Sequence, residues 1–165
     1  MKRLIVSGLL FWTLNCGAQI TAKVVEVRDG DSFHVVWNGK RQLCRLAHVD
    51  APELKQSFGI AARDSVRKVI LGKTVLIDSL SVDLYKRVIV NLKVKGICLD
   101  SLMIRKGWAW NYLAYSKNKN FALLMKDAIV EKKGIWKCGT DGVYPPWLYR
   151  KYTLENKIKH CISCN

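Results

Sequence analysis

Hydrophobic and polar positions alternate in short runs along most of the chain, a pattern that predicts a mainly β protein. Asp29-Gly30 separates the first two β-branched runs, and Asn38-Gly39 is a strong two-residue hairpin signal before the third. The last run alternates apolar and polar residues as a half-buried strand does. The five predicted strands cover 22–28, 31–37, 41–49, 73–77 and 87–94.

Helical periodicity occurs in three segments. Between Phe58 and Leu71 the apolar residues recur every three or four positions, and Gly72 ends the pattern. The predicted helices cover 58–71, 99–106 and 121–133. Five short strands with one inserted helix and two closing helices predict an α+β, mainly β, small closed barrel rather than a layered parallel sheet.

Two charged residues interrupt apolar strand faces. Asp31 has the parity of Phe33 and Val35, and Arg45 has that of the apolar residues Leu43, Ala47 and Val49. A charge turned toward a core costs free energy unless it is paired or binds an ion. We therefore expect a polar mouth of the barrel, which holds either a structural Asp31–Arg45 ion pair or an ion-binding site.

More carboxylates gather beside these positions. Asp29 is next to Asp31, and Asp50 and Glu53 share one short loop whose shape Pro52 restrains. The chain has only 13 Asp and Glu against 28 Lys and Arg. Such a cluster in a basic protein favours a site for a hard cation.

Composition narrows the class of protein. A length of 165 residues, half of them hydrophobic, suits a single folded domain and argues against disorder, collagen-like repeats or several membrane spans. The formal charge of +15 favours anionic partners, among them nucleic acid, phosphate-rich polymers and acidic membrane surfaces.

The first 18 residues have the pattern of a secretory signal peptide. Lys2 and Arg3 precede an apolar stretch that is too short for a comfortable membrane span, and small residues end at Ala18. We expect cleavage after Ala18 and an exported protein, periplasmic or secreted. A lipoprotein anchored through Cys16 is the alternative, although Asn15 is larger than the residue usual before a lipidated cysteine.

Five motifs follow one another in the remaining chain: Val-Arg-Asp-Gly-Asp-Ser at 27–32, Arg45-Leu46 with Val-Asp-Ala-Pro-Glu at 49–53, Asp-Leu-Tyr-Lys-Arg at 83–87, Gly-Trp-Ala-Trp at 107–110 and Gly-Ile-Trp at 134–136. Together they resemble the staphylococcal nuclease family, or thermonucleases, over about residues 21–136. The resemblance implies an OB-fold, a five-stranded closed barrel with three helices, in agreement with the predicted elements. It also implies a nuclease domain over 19–136.

Members of this family hydrolyse phosphodiester bonds in DNA and RNA with Ca²⁺ and leave 3′-phosphate ends. The resemblance implies an endonuclease of weak sequence specificity whose metal carboxylates are Asp31 and Asp50, with the backbone carbonyl of Ala51 as a further ligand. The best-known member has Thr at this last position, but a main-chain oxygen is available from Ala51 as well. Asp29 matches an acidic position near the metal without direct coordination.

The resemblance also assigns the catalytic groups. Arg45 and Arg87 would stabilise the negative charge that grows on phosphate oxygens, and Glu53 would act as general base for water or would orient it. Three tyrosines match or adjoin positions that stack on or contact the nucleotide: Tyr85, Tyr112 and Tyr115. Packing is the alternative role for these tyrosines.

The C-terminal extension, 137–165, is less readily interpreted. In an oxidising compartment we expect a disulfide from Cys138 to Cys161 or Cys164, and a zinc site of these cysteines with His160 is the alternative. The segment Pro145-Pro146-Trp147 resembles extensions of other bacterial members. Outside the extension we expect structural roles for the residues Cys44, Cys98, His34 and His48.

Two other functions fit part of the sequence. A catalytically silent OB-fold protein would bind single strands through its basic surface, and an envelope adhesion protein would bind polyanions. Degenerate family members typically lose the acids and arginines that are present here. We therefore expect an active nuclease, monomeric and without a stable membrane span.

Overall fold

The computed structural model describes residues 19–114 and 116–153. The predicted signal peptide, Tyr115, Cys161 and Cys164 lie outside the described residues. Within these ranges no helix has both the length and the apolar character needed to cross a bilayer. The strands are β1 (Ile20–Val27), β2 (Ser32–Trp37), β3 (Lys40–Leu46), β4 (Val49–Asp50), β5 (Thr74–Val82), β6 (Val88–Val94), β7 (Ile97–Cys98) and β8 (Trp110–Asn111). The helices are α1 (Gly59–Ile70), α2 (Leu99–Arg105), α3 (Lys119–Val130) and α4 (Pro146–Tyr149), with a 3₁₀ turn at Gly134–Trp136.

Five strands close into a barrel in the order β3-β2-β1-β5-β6. These neighbours are antiparallel, whereas β3 and β6 run parallel and join the two edges, with Cys44 opposite Val88 and Leu46 opposite Val90. The short strands β4 and β8 form a separate pair. The mainly β, closed OB-fold barrel with its three helices is confirmed, and the short additional elements were not predicted.

The core follows the sequence periodicities. In β6 the alternate residues Val90 and Leu92 are fully buried, as a half-exposed strand requires. On α1 the buried side chains of Val66 and Ile70 are four residues apart and pack into the same apolar cluster. The barrel interior and the inner faces of the helices therefore form one continuous core.

The strand predicted at 41–49 is in fact two strands with a bend between Leu46 and Val49. In β3 the buried side chains are Cys44 and Leu46, so Arg45 points to the opposite face. The predicted placement of Arg45 on a core-facing side was wrong, because the bend resets the alternation. Arg45 instead lines a cleft on the outside of the barrel.

A second apolar cluster connects the helices to the end of the chain. Trp136 of the 3₁₀ turn packs edge-on against Trp110 of β8, with ring centroids 5.5 Å apart, and Trp147 packs against the same cluster. Gly107 and Gly134 allow the backbone segments just before these two tryptophans to approach each other closely. A Cβ atom on Gly134 would lie 2.1 Å from the carbonyl oxygen of Gly107.

Candidate active site

One guanidinium group joins two buried carboxylates in the cleft. Arg45 donates from Nη1 to Asp31 Oδ1 and from Nη2 to Asp50 Oδ1, each at 2.9 Å. The side chains of Asp31 and Asp50 are only 5% and 1% exposed, whereas that of Arg45 is 15% exposed. The three groups carry one excess negative charge when both acids are ionised, in a place that is largely shielded from water.

Main-chain and hydroxyl donors fix Asp31 where the chain enters β2. The Asp29 carboxylate accepts the N–H groups of Asp31 at 3.1 Å and Ser32 at 2.7 Å, so Asp29 shapes the turn. Ser32 Oγ donates to Asp31 Oδ1 at 3.0 Å, and the Ala51 N–H donates to Asp31 Oδ2 at 2.9 Å. The turn before β2 and the loop after β4 are thereby tied together.

Electrostatics at this site favours added positive charge. The pKa of Asp31 is raised to about 7, chiefly by burial and also by the charges of Asp29 and Asp50, against the opposing charge of Arg45. Burial alone would lower the pKa of Arg45, but Asp31 and Asp50 hold it above its ordinary value. A cation beside these carboxylates would stabilise their ionised forms.

Arg87 lines the same cleft, on the turn that leads into β6. Asp83 accepts its Nε and Nη2 groups at 2.7 Å each and also accepts the Arg87 main-chain N–H at 2.9 Å. The guanidinium carbon is 5.3 Å from the centre of the Tyr85 ring. Tyr85 as a whole residue is 79% exposed. Asp83 therefore orients Arg87, and Tyr85 offers an aromatic face beside it.

Glu53 has a partner that the sequence analysis did not predict. Arg150, directly after α4, donates from Nη1 to Glu53 Oε1 at 2.8 Å and to Asp50 Oδ1 at 3.2 Å. Its Nη2 donates to Asp50 Oδ2 at 2.8 Å. Arg45 and Arg150 thus share the carboxylate of Asp50.

The cleft brings most of the predicted site residues together. Its volume is about 880 Å³, and its lining includes Asp31, Arg45, Ala51, Glu53, Arg87 and Tyr112. Asp50 is not itself a lining residue, but it forms ion pairs with Arg45 and Arg150, which are. Tyr85 lies at the rim, and the prediction for Tyr115 falls outside the described residues.

The C-terminal segment 144–151 reaches this cleft through specific contacts. Tyr112 stacks on Trp147 with ring centroids 5.4 Å apart and planes inclined by 21°. Tyr149 donates its hydroxyl to the Lys55 carbonyl at 3.1 Å, and Gln56 donates its amide to the Tyr144 carbonyl at 2.6 Å. Two bonds to the loop after Glu53 therefore hold the segment beside the carboxylates.

The remaining sequence-predicted residues occupy structural positions. His34 Nδ1 lies 3.0 Å from the Glu26 carboxylate, and His48 packs against the Phe121 ring at 5.8 Å. Cys44 is a buried free thiol, Cys98 is half-buried and free, and Cys138 is disulfide-bonded. The predicted partners of that disulfide lie outside the described residues. A disulfide-bonded cysteine has no thiolate to offer the alternative zinc site.

The donor set fits a hard divalent cation. Asp31 and Asp50 offer carboxylate oxygens that both lie within hydrogen-bond distance of one guanidinium group, and oxygen ligands are those that Ca²⁺ and Mg²⁺ prefer. Among the described residues there is no cluster of three or more His, Cys, Asp or Glu that could hold a metal. A cation here would therefore need main-chain, water or substrate oxygens beside the two carboxylates.

Comparison with known proteins points to one family. Residues 43–138 match the model of the staphylococcal nuclease homologue family. An uncharacterized endonuclease of Escherichia coli is 33% identical over 147 residues, which are 88% of this chain and 94% of that protein. The staphylococcal-like nuclease CAN1 of Arabidopsis thaliana is 30% identical over 112 residues, 68% of this chain and 34% of that protein. An uncharacterized endonuclease of Haemophilus influenzae is 28% identical over 139 residues, 82% of this chain and 78% of that protein.

Proposed function

Since the chain belongs to the staphylococcal nuclease family and is a nuclease, we propose that it is a Ca²⁺-dependent endonuclease of weak sequence specificity that hydrolyses both DNA and RNA. Nucleic acid is the substrate class of the family, and its nucleases are generally metal-dependent. The observation that carries the proposal is the pair of buried carboxylates held on Arg45, with Glu53 and Arg87 in the same cleft.

The choice of Ca²⁺ rests on the chemistry of the oxygen donors. Asp31, Asp50 and the backbone carbonyl of Ala51 would hold the ion, and water and a substrate phosphate would complete its six to eight positions. Bound there, the ion would polarise the phosphoryl oxygens and so make the phosphorus easier for water to attack. Because the protein supplies few ligands, we expect weak metal binding that tightens with nucleic acid.

The arginines would stabilise the charge of the transition state. As water attacks phosphorus, negative charge grows on the non-bridging oxygens, and a guanidinium group presents a permanent charge with a fork of donors to them. Arg45 would act beside the proposed metal carboxylates, and Arg87 from the turn before β6, where Asp83 orients it.

Glu53 is the proposed general base. Its side chain is 40% exposed, so water can reach the carboxylate, which would take the proton as the oxygen of water bonds to phosphorus. The bond from phosphorus to the 5′ oxygen breaks, the leaving oxygen takes a proton from solvent, and the product keeps a 3′-phosphate. Tyr85 and Tyr112 would contact the nucleotides by stacking, and Tyr115 is proposed for the same role.

The organisation of the whole protein is also part of the proposal. A signal peptide at 1–18 would direct export, a nuclease domain would cover 19–136, and the extension 137–165 would follow it. The pattern of charged, apolar and small residues before Gln19 supports export over a lipid anchor at Cys16. We also propose that the protein acts as a monomer.

The test is cleavage of single-stranded DNA and RNA by the purified protein, first with Ca²⁺, then with a chelator, alongside Glu53→Gln. We expect cleavage that requires Ca²⁺ and falls by about 10²-fold or more in the variant. Glu131→Gln is a matched control, because Glu131 is an exposed carboxylate that forms an ion pair with Lys133 and does not line the cleft. Folded protein that binds both polymers without cutting either would contradict the proposal and favour the silent binding module.

A further inference from the structure

Arg150 contacts two of the three acids to which the proposed reaction assigns a role, Asp50 and Glu53, although it belongs to a different part of the chain. We propose that Arg150 is a third phosphate-binding arginine of the cleft, supplied by the C-terminal segment 144–151 and specific for substrates that extend past the scissile phosphate. The proposal rests on the proposed nuclease function and adds a substrate contact to it. Its evidence is the anchoring of the segment, the free donors of Arg150 and the shape of the surface around it.

Anchoring holds the arginine at a defined place. Pro146 opens α4, and proline is favourable in the first turn of a helix because its ring sets the backbone angle. On one side Tyr149 is bonded to the Lys55 carbonyl, and on the other Trp147 stacks on Tyr112. Arg150 follows immediately, so its side chain enters the cleft from a fixed backbone.

The side chain of Arg150 has capacity for a further anion. Three of its five N–H groups donate to Asp50 and Glu53, which leaves two that the described residues do not occupy. The side chain is 42% exposed, against 15% for Arg45, which is enclosed between its two acids. Arg150 is therefore the guanidinium group beside Asp50 that an incoming phosphate reaches more easily.

The surface beyond Arg150 has the composition of a nucleotide subsite. A second cavity of about 500 Å³ is lined by Tyr112, Leu113, Ala114, Trp147, Arg150 and Lys151. Arg150 and Tyr112 line both cavities, so the two cavities adjoin at these side chains. A strand that lies in both cavities would pass a phosphate over Arg150 and present the next nucleotide to the aromatic pair and Lys151.

The same contacts suit an opposite role, in which Arg150 blocks the carboxylates as an internal inhibitor. The two roles predict opposite effects on cleavage when Arg150 is removed. A phosphate-binding arginine lowers the KM for a long substrate, whereas a blocking arginine slows the reaction and raises the Ca²⁺ requirement. Steady-state kinetics of variants at this position therefore decides between them.

The experiment compares Arg150→Ala, Arg150→Gln and Arg150→Lys in the full-length protein. The substrates are a single-stranded oligonucleotide and a nitrophenyl ester of a thymidine phosphate, which has no flanking nucleotide. For the oligonucleotide we expect Arg150→Ala to raise KM about tenfold, with a smaller change in kcat, and Arg150→Lys to recover part of the loss. For the short ester we expect KM to stay within about twofold.

Oligonucleotide binding in the presence of chelator provides a second readout that does not depend on cleavage. The slope of log affinity against log salt should fall by about 0.7 in Arg150→Gln, as for one lost phosphate contact on a single strand. Lys137→Ala is the matched control, since it removes an exposed positive charge that lines neither cavity. Circular dichroism and thermal unfolding check that each variant keeps its fold.

Two results overturn the proposal. One is an unchanged KM and salt slope in Arg150→Ala and Arg150→Gln, and the other is faster cleavage at limiting Ca²⁺, which assigns the inhibitory role. Failure of the proposed nuclease function is a separate observation, namely no cleavage by the unmodified protein. In that event the salt slope still tests whether Arg150 contacts phosphate.

Discussion

The main-chain N–H of Ala51 donates a hydrogen bond of 2.9 Å to the buried carboxylate of Asp31. This bond joins two segments that are far apart in the chain and are otherwise linked at this place through Arg45. The approach is close because the residue before Asp31 is a glycine. A Cβ atom on Gly30 would lie 2.4 Å from the Cβ of Ala51.

Gly30→Ala should therefore separate the turn before β2 from the loop after β4. We expect the free energy of unfolding to fall by about 2 kcal/mol and cleavage to fall more than tenfold, since both acids lose their relative position. Chemical denaturation and initial rates measure the two effects. Ala51→Gly in the same chain removes the colliding methyl group, so the double variant should recover much of the loss. Additive effects of the two substitutions would show that the collision is not the cause.

Asp83→Ala should impair catalysis through Arg87 rather than through folding. Without its carboxylate partner the guanidinium group loses a fixed orientation, and we expect kcat to fall roughly tenfold. The free energy of unfolding should change by less than about 1 kcal/mol, because the ion pair is partly exposed.

The control for this prediction is Asp64→Ala, which removes an equivalent pairing with Arg63 on α1. Its kcat should match that of the unmodified protein. Equal activity of Asp83→Ala and the unmodified protein, with Arg87→Ala inactive, would falsify the orienting role of Asp83.

Asp100, in the first turn of α2, should make stability depend on pH. Burial raises the pKa of this acid from 3.8 to about 6, although the charge of His48 opposes the shift. Between about pH 4 and 6 the folded protein then holds more protons than the unfolded chain, so its stability falls as pH rises and levels off above 6. Asp100→Asn does not undergo this loss of stability, and at pH 8 it should be more stable than the unmodified protein by about 3 kcal/mol.

Urea denaturation from pH 4 to pH 8 measures this difference. The two curves should approach each other toward pH 4, where Asp100 is mostly protonated in the folded protein. Asp127→Asn, an exposed position on α3, serves as the control and should follow the unmodified protein throughout. A stability difference for Asp100→Asn that stays constant over the range would contradict the assignment.

Cys44 should react with thiol reagents only when the barrel opens. It is 2% exposed, and burial raises the pKa of its thiol to about 11, so little thiolate is present at pH 8. Cys98 is half-buried and should react faster. Mass spectrometry of labelled peptides separates the two sites. Modification of Cys44 as fast as that of Cys98 in folded protein would contradict the expected protection.

Local patterns predicted the barrel strands and the long helices well, because alternation and helical spacing directly reflect which side chains face the core. The error at Arg45 has a physical cause. A bend between Leu46 and Val49 divides the predicted strand, so residues before and after the bend do not alternate as one series, and the burial of Val49 says nothing about the face of Arg45. The strand predicted at 73–77 was too short. β5 continues to Val82, but its second half is mostly exposed and therefore has only a weak apolar pattern.

Local sequence patterns did not reveal what the C-terminal segment contributes to the site. Pro146 is a residue typical of a helix start, yet no helix was predicted there. Arg150, however, is one basic residue among 28 Lys and Arg, and its pairing with Asp50 and Glu53 depends on tertiary contacts far from it in sequence. Motif order indicated the acids and the other two arginines, which the cleft does bring together.

Arg45 and Arg87 lie on opposite sides of the only parallel junction in the barrel, where β3 meets β6. A chain that has formed its antiparallel hairpins but has not joined these two strands already carries every reactive side chain, yet it has no cleft. We therefore expect nuclease activity to appear only once this long-range pairing has formed. Until then a newly made chain would leave the nucleic acids around it intact.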